Sequence, residues 1–288
     1  MELFLYVALG AYVASAAMAA WHVLAGAAEA SRYGGWLAGL GFLAHTAFLI
    51  AWGVSHGRLP AYAPFEALFA LLWCAVLGHL VLGRSLRSRA LSAFVMPLVA
   101  IASLAVVALV APEAEVTTAR RDVWLPVHAV ASLVGAADFF VAFAVAVMYL
   151  LKRRLLKHKT IGRLMERLPS LEALDRLNYR AIALGVPVFT FALVSGVVLA
   201  VETGPGWWAN WMVQASFAAW LVFAVLLHVR LGAGLRGPKV AYLTILGFLL
   251  VAGILCGIAF VGDTLHKMRP QERPAKLAMS PRGLPDAP

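Results

Sequence analysis

Eight stretches of about 20 mostly apolar residues, each long enough to cross the hydrocarbon of a bilayer as an α-helix, account for most of this chain. They run Leu3–Leu24, Trp36–Val54, Pro64–Leu82, Leu91–Ala111, Trp124–Leu151, Ala181–Val201, Trp207–Val229 and Val240–Gly262. Backbone amides inside lipid have no water to bond, so spanning segments must satisfy their hydrogen bonds internally, as helices do. The expected fold is therefore all-α, a polytopic membrane bundle of eight transmembrane helices within residues 1–266. The fifth run is the longest and predicts tilt or extension beyond the membrane. Met1 opens directly into the first run without a basic leader or a small-residue cleavage site, so that helix reads as retained. Residues 267–288 hold five prolines and no apolar periodicity, and are expected to be a disordered external tail.

Charge fixes the orientation. The chain carries 24 Lys and Arg against 14 Asp and Glu, a net +10. That excess would point to nucleic acid in a soluble protein, but only 13% of residues are charged, about half the usual soluble share. The cations sit in loops between apolar runs, so the partner they imply is membrane lipid, with no nucleic acid. Loops after the odd-numbered runs hold sixteen Lys and Arg, nine of them between Lys152 and Arg180; the intervening loops hold only Arg58, Arg120 and Arg121. The odd loops are thus read as cytoplasmic, and both termini as external. The long basic loop can form a surface helix, with Ile161, Leu164, Met165 and Leu168 at helical spacing. Cys74 and Cys256 lie inside apolar runs and read as packing residues, without a disulfide.

This topology sorts the eight histidines. His128 opens the fifth run at the outer face, and His266 follows the eighth at the same face. The short outer loop 202–210 leads into Trp207, Trp208 and Trp211. Two imidazoles can supply both axial ligands of a haem iron, and flat indoles can cover a porphyrin. An interfacial aromatic belt with incidental histidines accounts for the same residues. His45 is mid-run in the second segment, and His228 lies toward the cytoplasmic end of the seventh; each is either functional or bonded to a neighbouring helix. His22 and His79, near cytoplasmic ends, reach the interface on the plainest reading. Asp138, about 20 Å along the fifth run, is expected to be protonated or paired, and Glu66 to reach the outer interface. Arg120 and Arg121 fit either a clamp on anionic propionates or a solvated loop pair. No phosphate loop, no nucleophile beside a base, no transition-metal cluster and no Cys-x-x-Cys-His haem attachment sequence is present.

Several of these runs resemble one family. WLPVHAVASLVGAADFFVAFAVAVMYLL is similar to the helix bearing the first external histidine of the CcsA/HemX/ResC cytochrome c assembly proteins. LDRLNYRAIALGVPVFTFALVSGVVLA resembles the helix before that family's tryptophan-rich loop, and WLVFAVLLHVRLGAGLRGPKVAYLTILGF its seventh helix and cytoplasmic turn. GDTLH resembles the site of the last histidine, and HTAFLIAWGVSHGRLP with FEALFALLWC fits the N-terminal part.

The resemblance implies haem handling in a bacterial inner membrane, with haem b as cofactor. Family members carry haem across the membrane and present it for attachment to apocytochrome c, beside a partner of the ResB/CcsB type. Attachment would be a lyase activity of the complex rather than of this chain alone. By that resemblance His128 and His266 hold an external haem beneath Trp207, Trp208 and Trp211, and His228 serves a second site within the membrane. His45 is the partner the resemblance favours for His228; His22 fits its depth better. The loop departs from the family pattern, because Asn210 stands where the family has Asp and the following Lys and Glu are lost. Gly135-Ala136 also replaces a usual Ser-Tyr. These departures lean toward the HemX-like branch, some of whose members regulate glutamyl-tRNA reductase levels. A transporter of another amphipathic cofactor is a third reading, and it would need no iron ligands.

Overall fold

The computed structural model describes residues 1–61, 63–86, 91–110, 124–159, 162–202 and 204–268, with residues 28, 82–86, 163–164 and 258–268 described by their backbone alone. Among the described residues there are nine helices and no strand: α1 Glu2–Ala25, α2 Ala28–His56, α3 Pro64–Leu86, α4 Ser92–Leu109, α5 Trp124–Lys157, α6 Arg163–Arg167, α7 Leu171–Val201, α8 Trp211–Gly232 and α9 Pro238–Met268. All but the five-residue α6 are long and apolar enough to cross a membrane. The protein is a multi-pass membrane bundle.

The eight long helices fall into two groups of four. In the first, α1 packs along α2 and α4, and α3 closes on α4 and α2. In the second, α5 packs along α7 and α9, and α8 along α9 and α7. The two groups meet where α3 lies against α5. Small residues set the closeness of α5 and α7, as expected where no hydrophobic effect drives helices together in lipid. A Cβ on Gly135 would lie 3.0 Å from the Cβ of Phe189, and one on Gly185 would lie 2.8 Å from the ring of Phe139. Phe139 then stacks on Phe223 of α8 with ring centroids 3.7 Å apart, and Phe223 fills the space left by Gly247 of α9. One aromatic layer thus ties α7, α5, α8 and α9 together.

Polar contacts fix the helix ends. At the basic end, α1 stops at Gly26 in the left-handed conformation, and the Arg167 guanidinium donates to the carbonyls of His22 and Val23. Lys152 similarly donates to the carbonyls of Met165 and Leu168. At the opposite end, Glu66 is buried and accepts a fork of two hydrogen bonds from Arg58 at 2.5 and 2.6 Å, plus one from the Trp52 indole at 2.9 Å. The sequence places Glu66 at the interface; its carboxylate is instead neutralised inside the turn joining α2 to α3.

Helix limits differ from the apolar runs in an instructive way. α2 begins at Ala28 and carries Arg32 inside it, and α7 begins at Leu171, ten residues before its apolar run. The basic loop is therefore mostly helix: the extension of α5 to Lys157, then α6, then the start of α7. The turn at Trp207–Ala209 is a 3-10 turn, and α8 starts only at Trp211. α9 continues through His266. Arg120, Arg121 and the tail at 269–288 lie outside the described residues.

Candidate functional site at the tryptophan-bearing end

His128, in the second turn of α5, is clamped by α7. Its Nδ1 lies 2.8 Å from the carbonyl oxygen of Ala192, which can only accept, so Nδ1 carries the proton and donates. A neutral imidazole protonated there keeps its lone pair on Nε2, and Nε2 has no hydrogen bond among the described residues. The buried Ser195 hydroxyl stands 3.4 Å from the same Nδ1 and bonds the Phe191 and Ala192 carbonyls at 2.9 Å. Gly196 is what admits the ring, because a Cβ there would lie 2.7 Å from the imidazole Cε1. A histidine whose second nitrogen is tied to a carbonyl, with fixed tautomer and orientation, is the usual state of a metal-bound imidazole.

A cavity of 370 Å³ opens beside it, walled by α5, α7, α8 and α9. His128 and Ser132 line it from α5, Phe189 and Gly196 from α7, Asn210 and Ser216 from the α8 side, and Ile254 and Leu255 from α9. Its size suits a small-molecule or cofactor site, with a mostly apolar wall and a few polar groups. Phe189, part of the aromatic layer described above, belongs to the same wall.

The tryptophan turn stands over this end of the bundle. Trp208 and Trp211 are exposed, at 64% and 42%, and the Trp211 indole packs onto Gly257 of α9. Asn210 plays a part that the sequence alone did not reveal: its Oδ1 accepts from the Met212 amide at 2.9 Å and caps α8. Asp and Asn cap about equally well, so the replacement of Asp by Asn keeps this feature. His266 lies on α9 three turns beyond Leu255, about 16 Å along the axis at 1.5 Å per residue. Only its backbone is described.

His45 and His228 are not brought together. His45 is fully buried in the first group, with its Nδ1 3.1 Å from the Tyr12 hydroxyl and its ring against Phe69. Its Nε2 is enclosed without a hydrogen-bond partner. His228 is exposed on α8, whose main neighbours are α9 and α7. The rival His22 bonds the Ala27 carbonyl at 2.9 Å and serves the α1–α2 turn. Asp138 is half-buried, with its Oδ2 enclosed and unpartnered.

Among the described residues, no three His, Cys, Asp or Glu side chains converge on a point where they could cage a metal ion. A porphyrin iron needs no such cage, because the macrocycle supplies four of its ligands and the protein only the axial ones. His128, beside a mostly apolar cavity whose wall includes Asn210 of the tryptophan turn, fits that demand.

Comparison with known proteins identifies the family of the chain. The family described as Cytochrome C assembly protein matches residues 62–266, which takes in everything from the α2–α3 turn to His266. A cytochrome c biogenesis protein CcsA of Chlamydomonas reinhardtii is 30% identical over 227 residues, covering 76% of this chain and 63% of that protein. Relatives of the same name from Prochlorococcus marinus strains AS9601 and MIT 9215 are 28% and 26% identical, over 76% and 79% of this chain and 78% and 81% of theirs. With eight membrane-crossing helices and a family match running through both the clamped His128 and the tryptophan turn, this chain belongs to the cytochrome c assembly protein family.

Proposed function

We propose that the chain binds haem b at the tryptophan-bearing end and presents it during cytochrome c maturation. His128 of α5 and His266 near the end of α9 would hold the iron, and Trp207, Trp208 and Trp211 would pack against the porphyrin. The observation that carries this reading is the clamp on His128: Ala192 and Gly196 orient the ring and leave Nε2 as the free donor beside an apolar cavity. When bound, haem supplies the vinyl groups that an apocytochrome thiol would attack. This chain's own residues hold the iron, exclude water through the α7 and α9 walls, and leave one edge of the porphyrin under an exposed turn. Asn210 caps α8 and thereby holds that turn at the cavity mouth. Haem reaching this site from the basic end meets His228 on the exposed face of α8, which makes His228 an entry ligand. His45 in this structure is packed as a core histidine, and would act as a ligand only after Tyr12 and Phe69 yield. In a bacterium the host membrane is the inner membrane, with the termini outside, and a ResB/CcsB-type protein brings the apocytochrome.

The test is an absorption spectrum of the purified protein, with haem stoichiometry, for wild type, His128→Ala and His266→Ala. Wild type should carry low-spin haem. Each variant should lose one axial ligand, and added imidazole should partly restore the low-spin bands. Spectra unchanged in both variants would remove this site, and a wild type without haem would favour another amphipathic cargo.

A further inference from the structure

A second cavity, of 740 Å³, lies at the opposite, basic end of the bundle. Its wall joins the start of α7 (Glu172, Asp175, Arg176), the end of α8 (Arg230) and the α8–α9 turn (Arg236). Most of its charge is internally balanced. Arg230, only 6% exposed, donates to the Asp175 carboxylate at 2.6 Å and to the Asp175 carbonyl at 2.7 Å, and lies 5.1 Å over the Tyr179 ring. Arg176 reaches Glu172 at 3.4 Å, but both side chains are largely exposed, and a pair of that kind contributes little. Arg236 is different. Among the described residues it has no ion pair and no hydrogen bond, and its interaction with Arg230 is like-charge repulsion. The turn that carries it holds Gly234 and Gly237 in the left-handed region, at φ 64° and 90°, a conformation that disfavours other residues. The turn thus places the exposed Arg236 on the cavity wall, within electrostatic reach of Arg230. Such an arrangement lowers its energy by taking up an anion.

We propose that this cavity binds the phosphate headgroup of an acidic phospholipid, held by Arg176 and Arg236, with its acyl chains leaving over Leu231. Two features favour a lipid over a soluble anion. Leu231 on the wall is 63% exposed, so the cavity opens beside the apolar flank of α8 as well as toward water. The cavity also sits at the end that carries the basic segment between Lys152 and Arg180, and basic segments at a membrane surface draw acidic lipids. Among the described residues no imidazole or thiolate lines it, in contrast to the cavity beside His128.

The experiment places the full chain in nanodiscs of phosphatidylcholine, with or without phosphatidylglycerol. It measures retained lipid by native mass spectrometry and the thermal midpoint in each. Phosphatidylglycerol should be retained preferentially and should raise the midpoint, and Arg176→Gln and Arg236→Gln should each weaken its retention about 5-fold. Both side chains lie outside the core, so the double variant should fold and keep the haem spectrum of wild type. Equal retention of the two lipids, or a preference that survives in the double variant, overturns the proposal. So does a full midpoint rise from inorganic phosphate alone in phosphatidylcholine discs, because that result assigns the cavity to a soluble anion.

Discussion

At the scale of single residues, the site rests on one hydrogen bond and one missing methyl group. His128 is a candidate in the sequence because the family resemblance selects it; its place at the end of a long apolar run suits an interfacial belt as well. The Ala192 carbonyl and Gly196 are not candidates there, since a backbone oxygen carries no sequence signature and a glycine in an apolar run looks like any other small residue. The structure makes Gly196→Ala a sharp probe. Its methyl would meet the imidazole at 2.7 Å, so the ring must swing away from Ala192, at an overpacking cost of about 1–3 kcal/mol. The expected result is a protein that still folds, with a lower thermal midpoint and a haem spectrum shifted toward high spin. A normal low-spin spectrum in this variant would show that the clamp does not position the ligand. Ser195→Ala should be milder, because its 3.4 Å contact with the ring is weak and the Ala192 bond remains. Trp207→Ala should loosen haem without changing its ligation, since it removes packing and no iron bond.

Among the elements, the tryptophan turn and the α5–α7 pair show where hydropathy misleads. The apolar run places the start of the sixth span at Ala181, because Asp175, Arg176, Asn178 and Arg180 break the pattern. Two of those polar groups in fact point to helix partners: Asn178 donates to the Ala142 carbonyl at 3.0 Å, and Asp175 takes Arg230. The true start was written in Ser170, whose side chain accepts from the Ala173 amide as an N-cap. Gly135, which in sequence reads as the erosion of a family Ser-Tyr, is where the Phe189 side chain and Cα press against α5. Gly135→Ser should therefore destabilise the α5–α7 pair by about 1–3 kcal/mol rather than restore a lost function, as read from the thermal midpoint. Asn210 yields the complementary prediction. Asn210→Ala should cost about 1 kcal/mol through the lost cap of α8, whereas Asn210→Asp should keep the cap and gain roughly a few tenths from the helix dipole. If Asn210→Asp is as damaging as Asn210→Ala, the side chain is doing something other than capping.

For the whole molecule, orientation and purpose are tied, because a haem presented at the tryptophan-bearing end reaches an apocytochrome only if that end faces outward. On the orientation proposed from the cation asymmetry the α5–α7 connection lies inside, so reporter fusions after Lys159 should score cytoplasmic and fusions after Glu115 external; the reverse pattern would turn the proposed site toward the wrong compartment. The eight spanning helices were legible in sequence. The division into two groups of four was not, since nothing in an apolar run says which helices it packs against. That division bears on function. Every described residue lining the cavity at the tryptophan-bearing end comes from α5, α7, α8 and α9 or the cap of α8, while His45 belongs to the other group. The candidate site can therefore be disabled without touching the first four helices. Deleting the gene in its host and restoring it as wild type or His128→Ala uses this separation. An assembly factor predicts loss of haem-stained c-type cytochromes, rescued by wild type and not by His128→Ala. A regulator senses haem but presents nothing to a thiol, so it predicts normal cytochromes with raised levels of the first tetrapyrrole-pathway reductase. The exposed tryptophan turn favours the first outcome: a sensor gains nothing from leaving Trp208 open at 64% beside its ligand, whereas a donor must leave one porphyrin edge within reach of a second protein.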